Sequence, residues 1–351
     1  MKYRIVEFDP SIAPEDLLER YFDFEDRMFR ELETKDPLPL REGRREAIGD
    51  TNPQRKVFRW VVIGDNDGQE EVIGESEIAF VTEEDVDYEQ YGHIAGISLG
   101  VDERFRRQGL GTELLGALVE KAVEHGNIRT LETFGFQESG WRFCDRYGGK
   151  VALEAAQYRL ELAEVDWEML ARWRLEGAER NKGTTLRSFE MVPEEMLEEF
   201  VALYNEIVDA VPLGDLEVRQ RVTPASRRED ERRTGGGWYT IVGQEADGSL
   251  SGLTEVVHDW GMPCRIQQEL IGVRAEHRGR GLGKWLRAEM MFFIRDALPE
   301  AKYINAGTAD TNAPMVLISE RMGFKRHHTE VCYRFELERC TCCFQSSWRR
   351  T

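Results

Sequence analysis

Residues 271–284 read I-G-V-R-A-E-H-R-G-R-G-L-G-K, and a strand, a turn and a helix meet in them. Ile271-Gly272-Val273 ends an apolar run with strand character. Arg278-Gly279-Arg280-Gly281-Leu282-Gly283 is a glycine turn. From Lys284 onward, Trp285, Leu286, Met290, Phe293 and Ile294 recur at helical spacing. A strand that enters a helix through such a turn can hold a phosphate. The first-turn N–H groups lack partners inside the helix and carry the positive end of its dipole. Glycine lets the backbone approach an anion without a Cβ, and Arg278 and Arg280 add positive charge.

The stretch has a twin. Leu99-Gly100-Val101 leads to Arg106-Arg107-Gln108-Gly109-Leu110-Gly111-Thr112 and then to the apolar run L-L-G-A-L-V-E-K-A-V. Both copies share R-x-x-G-L-G, 172 residues apart (106 to 278), about half of the 351-residue chain. Two further blocks repeat in the same order. Gly74-Glu75-Ser76-Glu77-Ile78 matches Gly252-Leu253-Thr254-Glu255-Val256, and Tyr158-Arg159-Leu160-Glu161-Leu162 matches Tyr333-Arg334-Phe335-Glu336-Leu337. Three matched blocks imply duplication of a whole domain.

Patterning predicts strands at 3–8, 57–64, 71–80, 93–101, 127–134 and 157–162 in the first half, with helices at 13–33, 109–125 and 138–147. The second half repeats this, with strands at 185–191, 237–242, 252–258, 265–273, 303–307 and 329–337 and helices at 193–208, 281–297 and 312–322. The expected division is a first domain at 1–164, a linker helix at 165–183, a second domain at 184–338 and a tail at 339–351. Residues 212–235 read as a charged crossing segment. The tail carries Cys340, Cys342 and Cys343 without the spacing of a zinc site, so no metal is expected there and a frayed end is the plainer reading.

The formal charge of −19 argues against nucleic acid or an anionic membrane as partner. No apolar run is long enough to span a bilayer. The N-terminus lacks a signal core, and the dispersed Cys144, Cys264 and Cys332 suit free thiols, so a cytoplasmic location is expected.

The order of elements, with R-x-x-G-x-G between the fourth strand and the next helix, resembles the GNAT superfamily of N-acetyltransferases in its tandem two-domain bacterial form. The second half is the closer match, because H-R-G-R-G-L-G at 277–283 is joined by N-A-P-M-V-L-I-S-E-R-M-G-F at 312–324. The resemblance implies an α/β (α+β) fold of two tandem domains, each a mixed, mostly antiparallel splayed sheet flanked by helices. It implies acetyl-CoA as cosubstrate, with its pyrophosphate on residues 279–284 or 107–112. Its pantetheine arm would lie against Ile271 to Val273 or Leu99 to Val101. It also implies cofactor contact at Asn312, a residue that reads independently as a helix N-cap.

Acetyl transfer to an amine needs a base, an oxyanion site and relief for the leaving thiolate. Glu255, with its twin Glu77, is the first candidate base, and Glu269 the second. Gln267 stands nearer the position where the family often has a glutamate. Each glutamate reads equally as a solvated strand residue. Where many family members have a tyrosine acid, this chain has Ser319 in the second half and Cys144 in the first. Tyr303 and Tyr333 are spare candidates whose plainer role is core packing. The first half lacks the asparagine and has Gly149 in place of Phe324.

Two function classes follow. One is an N-acetyltransferase acting on a small-molecule or peptide amine, with the C-terminal half active. The other is an acyl-CoA-binding sensor or scaffold with little transfer activity. The acceptor, the acyl preference and the oligomeric state are not encoded in any motif.

Overall fold

The computed structural model describes residues 2–49, 52–66, 68–212, 216, 221–234, 237–258, 260–309 and 312–341. In chain order the elements are β1 (Tyr3–Glu7), α1 (Glu15–Leu32), α2 (Arg41–Gly49), β2 (Arg55–Asn66), β3 (Gln69–Val81), α3 (Tyr88–Tyr91), β4 (Ile94–Val101), α4 (Leu110–His125), β5 (Thr130–Gly135), α5 (Glu138–Arg146) and β6 (Lys150–Glu161). Then follow α6 (Trp167–Arg180), β7 (Thr185–Phe189), α7 (Leu197–Asp209), α8 (Pro224–Arg233), β8 (Trp238–Gln244), β9 (Leu250–His258), β10 (Arg265–Val273), α9 (Leu282–Ala297), β11 (Tyr303–Ala309), α10 (Ala313–Met322) and β12 (Lys325–Glu336).

Two compact units form: Met1–Ala152 with Val331–Thr351, and Leu153–Glu330. Unit one orders its strands β1-β2-β3-β4-β5 and closes on β12; unit two orders them β7-β8-β9-β10-β11 and closes on β6. Neighbours pair antiparallel except β4 with β5 and β10 with β11, which run parallel.

Strand alternation gives each sheet two apolar faces. In unit one, Leu110, Leu114 and Leu118 of α4 pack with Ile73 and Ile78, while Leu18, Tyr21 and Phe22 of α1 pack with Val61 and Val72. In unit two, Leu286, Met290 and Ile294 of α9 pack with Val256 and Ile266, while Phe200 and Leu203 of α7 pack with Val242 and Leu253.

The units do not follow the expected cuts. The last strand of each repeat completes the other repeat's sheet: Tyr158 of β6 pairs with Ala306, and Tyr333 of β12 pairs with Thr133. Both strands carry the Y-R-x-E-L pattern, so alternation alone cannot say which sheet each one closes. The segment expected as a linker is part of unit two. A Cβ on Gly177 of α6 would lie 2.4 Å from Trp285 Cβ of α9, and Arg174 pairs with Glu289 at 2.8 Å.

The crossing segment contains a helix. In α8, Thr223 and Ser226 form a reciprocal capping box with Pro224 in the first turn. The expected frayed tail begins later than position 340, because Cys340 is buried in the unit-one core. Cys342 and Cys343 lie outside the described residues. Among the described residues, no helix is long and apolar enough to cross a membrane.

Candidate active site

In each unit the parallel ladder stops early. It runs from Ile94↔Thr130 to Gly96↔Glu132 in unit one and from Arg265↔Tyr303 to Gln268↔Ala306 in unit two. Beyond that point β4 and β10 keep their partners on β3 and β9 alone. The sheet therefore splays and leaves a backbone edge free to bond an extended ligand. Leu99 and Val101 lie on that edge in unit one, and Ile271 and Val273 in unit two.

The edges differ. On β10, Gln268 pairs with Val256 and Ile271 with Thr254. Glu269 and Leu270 together oppose Glu255, which is a β-bulge. On β4 the register from Gly74↔Val101 to Phe80↔Ala95 has no shift. The residue of β4 equivalent to Glu269 is Ile97, which is buried.

Each free edge leads to its glycine turn. Gly109 and Gly281 cap their helices at φ 96° and 84°, in the left-handed region that glycine adopts without strain. A Cβ on Gly109, Gly279 or Gly281 would meet nothing within 4 Å. The backbone of both turns is thus unobstructed at these glycines, as close approach of a phosphate requires. The third glycine of each turn instead permits close packing. A Cβ on Gly111 would lie 3.2 Å from Phe143, and one on Gly283 would lie 3.6 Å from Val273. The side chains of Leu110 and Leu282 are buried and anchor the helices.

The basic residues of the two turns have different partners. Arg106 and Arg278 each donate Nε–H to the strand end, to Val101 O at 2.8 Å and Val273 O at 2.9 Å. Arg106 is then held by Glu31, at 2.5 and 2.6 Å. Arg278 has no carboxylate partner among the described residues. Arg280 is turned aside to Glu245 at 3.3 Å, so its charge is largely offset. Lys284 Nζ sits over the Trp173 ring, 5.3 Å from its centroid. In unit one, Arg107 takes φ 65° where unit two has Gly279, Gln108 is exposed, and Thr112 Oγ1 lies 2.7 Å from the Tyr147 hydroxyl.

The structure separates the acid–base candidates. Glu255 is fully buried. Its Oε1 accepts from Arg227 Nη2 at 2.7 Å and Thr240 Oγ1 at 2.6 Å, while its Oε2 is buried without a hydrogen-bond partner. A carboxylate held this way does not reach solvent. Its twin Glu77 is paired with Arg59 at 2.7 Å.

Glu269 is exposed, yet protein atoms crowd the carboxyl from the sheet side. That desolvation, with added repulsion from Glu255, raises its carboxyl to about 7. Gln267 lies next to this site on β10 and is half-buried.

Ser319 is buried, 3.5 Å from Arg287 Nη2. Burial pushes the Cys144 thiol up to about 12. Tyr303 and Tyr333 are both buried core residues, and Tyr333 lies in unit one. Asn312 stands at the N-cap of α10 but makes no side-chain capping bond; its carbonyl accepts from Met315 and Val316 N–H, each at 3.0 Å.

Pattern reading missed Arg227, because α8 is too polar to show a buried face. Arg227 is 1% exposed. It is bound to Glu231, Thr240 and Glu255 and sandwiched by Phe200 and Trp238, each 4.7 Å from its guanidinium carbon.

The chain thus makes twice a splayed sheet whose free strand edge ends in a glycine turn. Residues 18–148 match the acetyltransferase (GNAT) family; the matched stretch lies in the first repeat, although the motifs of the second read as the closer match. The whole chain has the tandem GNAT fold. It is similar to a tandem GNAT protein from the clavulanic acid biosynthesis pathway, solved without acetyl-CoA (TM-score 0.73, 20% identity, 96% of this chain and 99% of that one). It is also similar to a GCN5-related N-acetyltransferase from Sphaerobacter thermophilus (TM-score 0.67, 17% identity, 95% and 96% covered). No curated protein matches the sequence.

Proposed function

We propose that unit two moves an acetyl group from acetyl-CoA to a primary amine by direct attack. The observation that carries this reading is the bulge, which sets Glu269 at the start of the free edge that ends in the glycine turn. Acetyl-CoA would supply the acetyl group as a thioester. The amides of 279–284 would hold its pyrophosphate and the edge at Ile271–Val273 its pantetheine arm. Arg106 to Thr112, with Leu99 and Val101, would do the same in unit one. Asn312 remains a candidate contact.

The base role passes from Glu255 to Glu269. A carboxyl near 7 is half ionised at neutral pH and can accept the amine proton. Backbone N–H groups at the bulge would face the carbonyl oxygen as charge develops on it. The amine lone pair forms the C–N bond, the C–S bond breaks, and the amine proton goes to Glu269. Glu255, buried and paired with Arg227, keeps a supporting role by adding to the repulsion that raises the Glu269 carboxyl.

The test is calorimetric titration of acetyl-CoA together with release of CoA thiol over a panel of amines. Gly281→Glu should abolish turnover and remove a binding site, while Gly109→Glu should leave turnover within a factor of about two. Turnover lost only with Gly109→Glu would move the chemistry to unit one. Tight binding without turnover on any amine would favour the sensor.

A further inference from the structure

One buried charge in unit two has no use in this scheme. Arg287 lies in α9 and is 2% exposed. Among the described residues its one hydrogen-bond partner is Ser319 Oγ on α10, at 3.5 Å. Its guanidinium carbon lies 5.1 Å from the centre of the Phe324 ring, and no carboxylate among the described residues pairs with it. Loss of hydration lowers its guanidinium to about 10. Burying a cation without a counter-charge is expensive, so its presence calls for a reason.

The fold itself does not need it. In the duplicate, Leu115 stands at the same helix position and is 1% exposed. The residue equivalent to Ser319 is Cys144, and both Leu115 and Cys144 belong to the apolar core of unit one. An apolar pair therefore closes one unit, while the other keeps a cation and a hydroxyl.

Position indicates the anion. Strand β10 runs up to the glycine turn and α9 returns over the sheet. Arg287 is six residues past Gly281, about 9 Å along the helix. Gly283 stands against Val273, so Arg287, four residues further and about 6 Å along the helix, is level with the free edge near Ile271. Because Ser319 Oγ accepts from Arg287, its own O–H is left to donate.

We propose that Arg287 is a positioning residue that acts through Ser319 to stabilise the CoA sulfur. When the C–S bond breaks, its electron pair stays on sulfur. Ser319 O–H donates to that thiolate, Arg287 supplies the opposing charge, and water later protonates the sulfur. This rests on the proposed transfer in unit two and explains how a site without a tyrosine acid releases its leaving group.

The test binds CoA itself to the full chain and follows thiolate absorbance against pH. A free thiol titrates at about 8.5. The bound thiol should titrate at least about one unit lower, a tenfold shift in the thiolate ratio. Arg287→Met should return it to the value in water and slow turnover about tenfold or more, with CoA affinity changed far less. Arg287→Lys should restore part of both effects. Bound CoA whose thiol titrates as in water would overturn the proposal while leaving transfer in unit two intact. That wild-type measurement decides even if Arg287→Met fails to fold. Failure of CoA to bind at all would instead remove the unit-two reading, and this proposal with it.

Discussion

The two units are copies of one plan, and they differ where chemistry would take place. Unit one has a regular β4, a buried Ile97 and an apolar Leu115–Cys144 pair. Unit two has a bulge at the same point of β10, Glu269 in it, and Arg287 against Ser319. The basic residue before the turn is neutralised by Glu31 in unit one, whereas Arg278 has no carboxylate partner among the described residues. Unit one does contain a carboxyl raised to about 7, Glu75, lifted by burial. It lies on β3 opposite Gly100, on the paired side of β4 and not on its free edge. A duplicate shows which residues a fold requires, so the residues found in only one copy are the ones to assign to function.

The largest expected effect tests the separateness of the copies. Ending the chain after Glu330 removes Val331, Tyr333 and Phe335 from the unit-one core. Each lost aromatic is worth about 3–5 kcal/mol, against a total stability of about 5–15 kcal/mol. Unit one should unfold although the cut lies in the second repeat, as read by hydrogen exchange over residues 94–135.

Next, Glu269→Gln should lower kcat by about 10²–10⁴-fold and abolish the rise of kcat/KM with pH near 7, whereas Glu75→Gln should change neither. Equal loss from both would break the assignment to unit two. Arg227→Met, which strands Glu255 without its cation while Glu231 keeps Arg228, should cost about 3–5 kcal/mol in a denaturant melt. Exchanging the turn residues should move stability in opposite directions. Arg107→Gly relieves a left-handed non-glycine residue and should gain about 1 kcal/mol, and Gly279→Arg should lose about as much.

The last effect is on pH dependence, and the exposure of Glu269 makes it small. The folded-state carboxyl of Glu269, near 7, lies above its unfolded value of about 4.3. The folded state thus holds the extra proton, and stability falls as pH rises through that window. Glu269→Gln should flatten this part of the Tm-against-pH curve.

Much of this was legible in the chain. The R-x-x-G-L-G turns and the matched blocks gave the duplication and the strand–turn–helix of each copy, but not the cuts between the units, and the splay was implied by the family resemblance. Three features were hidden, each for a physical reason. The bulge at Glu269-Leu270 has no glycine to mark it. Helix α8 buries Arg227 and Glu231 through mutual pairing, so apolar periodicity cannot detect it. The strand exchange is invisible because Tyr158–Leu162 and Tyr333–Leu337 fit either sheet. Arg287 could have been found: it lies on the buried side of the α9 pattern, and alignment with Leu115 shows a charge where its twin is aliphatic.

The exchange of closing strands also sets a timetable. Translation delivers β5 long before the strand that covers its edge, since unit one stays incomplete until Leu337 has been made. At typical elongation rates that interval is roughly 10–40 s. An unpaired strand edge is a template for wrong partners, and here the nearest competitor is β6, a strand of nearly the same pattern that is already synthesised. The repeats therefore pass through a period in which β6 is available to the edge of β5 before β12 exists, and the native arrangement requires that β6 be kept for β11.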